Sequence, residues 1–218
     1  MKRLLTAATL LALALPLAGA DDKPADEAKP ADLPLKAKLV VKTDSYKLDL
    51  GGKSADEFRT ALKDAEKAGK APEAPAVDLV LEITNTGKED VKFWVEGDAN
   101  EVQLELKGPN AVSIMPRRAF TADFRMPKVM TLAPEKTYSI PIKSLQYGFR
   151  GVAKSSYWTE PGEYTITASY KTAISPAPKG SKEAEKGFGN AVINSDPVKV
   201  KVEAPKLSLI HISEPTRQ

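Results

Sequence analysis

Strict two-residue alternation of apolar and polar side chains, repeated along most of the chain, limits what this sequence can fold into. Val77, Leu79, Leu81 and Ile83 alternate with Asp78, Val80, Glu82 and Thr84. Leu35, Ala37, Leu39 and Val41 do the same against Lys36, Lys38, Val40 and Lys42. Further sets follow at Tyr46–Leu50, Val91–Val95, Val102–Leu106, Ala111–Met115, Tyr138–Ile142, Tyr164–Tyr170 and Val198–Val202. In an extended strand such a pattern puts every apolar side chain on one face and every polar one on the other. Turn-forming sequences separate the runs, among them Asn85-Thr86-Gly87, Glu96-Gly97-Asp98 and Gly108-Pro109-Asn110. About nine strands with one buried face each predict antiparallel sheets that hide those faces against one another. The expected fold class is all-β, an antiparallel β-sandwich.

One segment has a different period. Over residues 54–69, Phe58, Ala61, Leu62, Ala65 and Ala68 recur at helical spacing. Ser54 and Glu57 have the spacing of a capping box, and Gly69 stands where a helix-ending glycine belongs. This predicts a short helical insertion. Its stripe is mostly alanine, so it is expected to bury little and to lie over a sheet edge.

The ends read differently from the middle. Lys2 and Arg3 precede an apolar stretch from Leu4 to Leu17, too short to span a bilayer comfortably, and Ala18-Gly19-Ala20 supplies small residues for a signal peptidase. Residues 1–20 are therefore expected to be a secretory signal, with no membrane span once it is cleaved. Residues 21–34 hold no large apolar side chain before Leu33 and are expected to form a disordered acidic leader. Residues 35–206 remain as one domain-sized unit. Residues 207–218 contain LSLIHISEPTR, which resembles one translated frame of a sequencing adapter, and are expected to be non-native. Export without any cysteine suits a periplasm or the cell exterior. Without Lys2 and Arg3, 30 of the 32 cationic residues stand against 29 acidic ones, so global charge gives no sign of nucleic-acid binding.

Chemistry is sparse. The absence of cysteine excludes disulfides, thiolate metal sites and a cysteine nucleophile. The only histidine, His211, falls in the adapter-like segment, which leaves no imidazole for a catalytic triad or a histidine metal site. Gly51-Gly52-Lys53-Ser54 resembles the end of a phosphate loop, but Lys47 occupies the position of its first glycine; a turn into a capped helix accounts for it. Glu96, Asp98, Asn100 and Glu101 lack the spacing of a calcium loop and read as a solvated hairpin turn. Met115, Met126 and Met130 read as packing residues. No catalytic, cofactor-binding or metal site is expected.

Residues 116–154 stand out by composition. Eight cationic side chains there face only Asp123 and Glu135, and four of the five arginines outside the two ends lie within it. Aromatic residues interleave with them. Arg117, Arg118, Phe120, Phe124, Arg125, Phe149 and Arg150 are candidate partner-binding residues, because arginine forks and aromatic faces recur where proteins meet anionic polymers or other proteins. Phe188 joins them as the apolar tip of an expected long loop, 173–190, between the last two strands.

At Glu160-Pro161-Gly162-Glu163-Tyr164-Thr165-Ile166-Thr167-Ala168 the chain resembles the penultimate strand of immunoglobulin-like domains. There a tyrosine at the strand opening reaches back to the backbone, a role the resemblance gives to Tyr164. Ile166 occupies the place where antibody domains carry a cysteine. Asn85-Thr86-Gly87, and Ser195-Asp196-Pro197-Val198 before the final strand, resemble segments of bacterial modules of that class. The resemblance implies an immunoglobulin-like sandwich and little about activity. The expected function is a secreted, non-enzymatic binding module with no cofactor, contacting a protein or an anionic polysaccharide. Two alternatives are a β-sandwich protease inhibitor and a hydrolase using two carboxylates about 5–10 Å apart.

Overall fold

The computed structural model describes residues 33–116, 124–148, 153–185 and 187–205. The signal, almost all of the leader, the adapter-like segment and the candidates Arg117, Arg118, Phe120, Phe149 and Arg150 lie outside these residues. In chain order the elements are β1 (Leu35–Val41), β2 (Ser45–Lys47), α1 (Ala55–Lys67), β3 (Ala76–Asn85), β4 (Val91–Val95), β5 (Glu101–Lys107) and β6 (Val112–Ile114). They continue with β7 (Lys128–Leu132), β8 (Thr137–Ser144), β9 (Gln146–Tyr147), β10 (Lys154–Tyr157), β11 (Gly162–Ser175), β12 (Glu183–Glu185), β13 (Phe188–Asn194) and β14 (Val198–Glu203). The described residues are all-β apart from one short helix. None of the described helices is long and apolar enough to cross a membrane.

Alternation becomes register. β1, β3 and β8 form an antiparallel sheet in which Leu81 stands opposite Leu39 on one side and Ile140 on the other. Leu79, Leu81 and Ile83 are fully buried, as their spacing requires. Pro141 sits in β8, an outer strand, where its missing N–H breaks no central ladder.

The second sheet has eight strands and is organised by β11. One edge of β11 pairs with β14 and then β13; the other pairs with β5 and then β4. β4 and β5 therefore run in the same direction along one edge. The Glu96-Gly97-Asp98 sequence is not a hairpin reversal, as its turn chemistry predicts, but an outward excursion over residues 96–100 within one interrupted strand. β7 adds to the far side of β4, β2 runs parallel to β14, and β12 flanks β13. The two sheets share one core, to which Leu39, Leu79 and Ile83 contribute from the first and Phe93, Ile166, Tyr170 and Val200 from the second. Each such side chain contributes about 1.5–3 kcal/mol by leaving water.

Tyr164 opens β11. Its hydroxyl lies 2.8 Å from the Glu160 carbonyl, four residues upstream, and 2.7 Å from the Pro109 carbonyl. That reach back across the turn is the geometry expected of Tyr164 from the sequence.

The helix departs from expectation in what it buries. Its capping box forms, with Glu57 N–H donating to Ser54 Oγ and Ser54 N–H donating to Glu57 Oε2. Leu62 is fully buried in a small second core with Ile114 and Tyr157, and Phe58 meets the Tyr157 ring edge-on at 6.1 Å. That core belongs to a third sheet, β6-β10-β9. One leucine and one phenylalanine thus anchor a stripe whose alanines merely allow close approach.

Half of the expected loop over 173–190 is strand. β11 continues to Ser175 and β13 begins at Phe188, so the connection shortens to residues 176–187, which include β12.

Candidate functional site

The outer face of the eight-stranded sheet carries large apolar side chains where polar ones are the rule. In β4, Phe93 and Val95 point inward, so Trp94 points outward with Lys92. Val129 of β7 is its direct cross-strand neighbour and is 56% exposed. Across the sheet, the ring of Phe188 lies 5.8 Å from that of Trp94, the planes tilted by 32°. Ala173 shares this face, one step along β11 from the Ile174–Phe93 pair, and the flanking rings leave it buried. Val192, two residues beyond Asn190 on the same face of β13, is 46% exposed. Lys92 and Lys171 stand exposed at the margins. The result is an apolar strip crossing four strands.

The backbone beneath the strip is fixed. The Trp94 carbonyl accepts hydrogen bonds from Tyr170 Oη at 3.0 Å and Thr172 Oγ1 at 2.8 Å. These side chains satisfy the carbonyl at the point where the chain leaves β11 for its excursion. Burial pushes the Tyr170 phenol well above its usual range, so it remains a donor.

The excursion grips the segment before β7. The Asp98 side chain is fully buried; its Oδ2 accepts from the Arg125 backbone N–H at 2.9 Å and its Oδ1 from Arg125 Nε at 3.0 Å. The Asp98 N–H in turn donates to the Arg125 carbonyl at 2.9 Å. Glu96 and Gly97 adopt left-handed backbone conformations, with φ of 57° and 68°. A Cβ on Gly97 would stand 2.7 Å from the Met126 backbone, so the approach requires glycine. Asn100 Nδ2 donates to the Glu96 carbonyl across the excursion. Phe124 and Met126 project from the segment held in this way, 57% and 74% exposed.

Of the candidate residues described, Phe124 and Arg125 therefore lie on one gripped segment, and Phe188 stacks on Trp94 rather than capping a loop. Arg125 is bound to Asp98, and Lys128 lies 2.7 Å from Glu96, whose hydrogen-bonded carboxylate raises the lysine pKa. The excursion's acidic side chains bind their own chain. Met130 packs against the core, but Met115 and Met126 are exposed, contrary to their expected packing role. Trp94 and Val129 were not singled out by sequence reasoning, and Asp98, read there as a solvated turn carboxylate, is buried. The signal for Trp94 was present, since alternation assigns it to the outward set.

Recesses among the described residues lie elsewhere. An open groove of about 790 Å³ near the start of β11 is lined in part by Asp44, Glu163 and Glu203. Glu163 pairs with Lys199 at 2.8 Å and Glu203 with Lys201 at 3.4 Å. A crevice of about 180 Å³ opens between β5 and β8, lined by Val102, Leu104, Ile140 and Ile142. Among the described residues no three histidine, cysteine or acidic side chains converge as a metal site.

No protein-family model matches the chain, and no curated protein matches it. Among solved structures, one of AvmM, which catalyses macrocyclization in alchivemycin A biosynthesis, aligns with a TM-score of 0.29 at 10% identity. The alignment covers 81% of this chain and 92% of that one, and a likeness so slight bears on neither fold nor activity.

Proposed function

We propose that this chain is an exported, non-enzymatic binding module on an immunoglobulin-like β-sandwich, and that it docks a protein partner through the strip formed by Val129, Trp94 and Phe188. The immunoglobulin-like reading is supported by the Tyr164 hydroxyl reaching Glu160 and by two sheets sharing one core. A parallel bridge from Ala37 to Ser195 also ties the first strand of one sheet to the β13–β14 connection of the other. The observation carrying the functional reading is the Trp94–Phe188 stack, held outward on a sheet whose backbone is pinned at Trp94. Half-buried aromatic rings beside exposed aliphatic side chains on a rigid support match the composition of protein-binding hot spots. Among the described residues of the basic segment, Arg125 and Lys128 are already engaged by Asp98 and Glu96, which favours a protein over an anionic polysaccharide. A carboxylate hydrolase draws little support from the groove, where Glu163 and Glu203 sit in ion pairs with lysines.

Site-directed photo-crosslinking tests the reading. A photoreactive residue replaces Asn190, beside the strip, or Glu105, far along the same face, and irradiation follows in a cell-envelope extract. The expected result is a discrete protein adduct from position 190 alone, lost with Trp94→Ala and equal in yield at low and high salt. Contacts through charge would weaken steeply as salt rises. Equal adducts from both positions, or adducts indifferent to Trp94→Ala, overturn the proposal.

A further inference from the structure

An exposed strand edge is a template for another strand, and proteins usually blunt it with proline, charge, a bulge or a cover. β8 carries Pro141 and Lys143. β7 is different. It flanks β4 on one side, and among the described residues no strand pairs with its other edge. It has no proline and no bulge: all five residues from Lys128 to Leu132 hold unbroken register with β4. Its one charge, Lys128, is paired with Glu96, and Val129 is a large exposed aliphatic residue of high strand propensity.

We propose that β7 is a self-association edge, pairing antiparallel with β7 of a second copy about a twofold axis at Met130. The occupant is argued from the register itself. An axis at Met130 is the one that engages all five residues. It sets Lys128 opposite Leu132 of the second copy and Val129 opposite Thr131, so no like charges meet. The eight-stranded sheets of two copies become continuous, and two Trp94–Val129 strips come side by side on one outer face. A five-residue ladder with few flanking contacts is a small interface, so the association is expected to be weak and reversible, on the order of micromolar. It stands or falls independently of whether the strip binds another protein.

Sedimentation velocity on the purified protein across the micromolar range reads it out. Val129 and Thr131 are both exposed, so their substitution leaves the core intact. Val129→Glu with Thr131→Glu sets carboxylate opposite carboxylate twice across the axis, and dimerisation is expected to weaken at least several-fold. Val129→Lys with Thr131→Glu sets ammonium opposite carboxylate twice, and dimerisation is expected to persist. Matching melting temperatures for the two variants exclude unfolding as the cause of a difference. A wild-type chain monomeric at every concentration overturns the proposal. So does a dimer that responds equally, or not at all, to the two substitutions.

Discussion

The ring of Tyr164 fills the space where a side chain on Gly108 would stand. Gly108 lies one step beyond the Lys107–Thr165 pair, so the glycine and the tyrosine face each other across β5 and β11. A Cβ at position 108 would be 2.7 Å from Tyr164 Cγ and 2.9 Å from Cε1. Both are well inside van der Waals contact, and the obstacle is a buried ring with no room to swing aside. The tyrosine's position over its turn therefore depends on a missing side chain in the neighbouring strand.

Gly108→Ala is expected to destabilise the fold by about 1–3 kcal/mol, the usual cost of overpacking a filled site. In a domain of this size that lowers Tm by roughly 2–4 °C per kcal/mol. Tyr164→Phe separates packing from hydrogen bonding. It keeps the ring and removes the donor to the Pro109 and Glu160 carbonyls, at about 1–3 kcal/mol. Thermal denaturation of the two variants checks both; a Gly108→Ala protein as stable as wild type would refute the steric account.

Glu160, at the same turn, makes stability depend on acidity. Arg59 Nη1 donates to its Oε1 at 2.9 Å and Asn110 Nδ2 to the same oxygen at 2.7 Å, and together they hold the carboxyl below the usual glutamate range. A carboxyl whose folded pKa is depressed adds stability above its unfolded pKa, about 4.3, and loses it as pH falls through the lower folded value. Wild type should therefore melt above Glu160→Gln at pH 7, and the gap should close as pH falls below about 4. The gap will be modest, since the pair is partly exposed. Scanning calorimetry from neutral to acid pH measures it, and a gap that persists in acid contradicts the assignment.

How far the sequence could be read depended on whether a residue's role was local. Val77, Leu79, Leu81 and Ile83 declared their buried face by spacing alone, and Ser54 with Glu57 declared the helix start. The Glu96-Gly97-Asp98 signal correctly marked a break in the strand. It could not say that the chain resumes along the same edge of β11, because that depends on a partner many residues away. The strand Phe188–Asn194 was hidden by Gly187 and Gly189, which read as loop. Gly189 is instead needed because Ser181 Oγ and Ala177 close over its backbone. For the candidate surface, composition drew attention to Phe124 and Arg125 and an expected loop to Phe188, whereas Trp94 and Val129 sat unremarked in ordinary strands. Asp98 was the least legible, since nothing in the sequence distinguishes a solvated turn carboxylate from a buried one.

That buried carboxylate leads to the last prediction. Asp98 contributes one acceptor to the Arg125 backbone and another to its guanidinium, so residues 124–127 are held at both main chain and side chain. Asp98→Asn keeps the size but removes the charge, and its amide presents a donor where one of these donors now points. A buried charge-assisted pair loses more than an exposed one when altered, so the segment should loosen while the β1-β3-β8 sheet, which makes none of these bonds, stays folded. Arg125 itself then serves as a reporter: its side chain is exposed, and trypsin needs several residues of extended backbone around the bond it cuts. Cleavage after Arg125 is expected to be at least several-fold faster in Asp98→Asn than in wild type. Lys128→Ala, which removes only the exposed pair with Glu96, should leave the rate nearly unchanged. Equal cleavage of Asp98→Asn and wild type under native conditions would show that residues 124–127 are held by something other than Asp98.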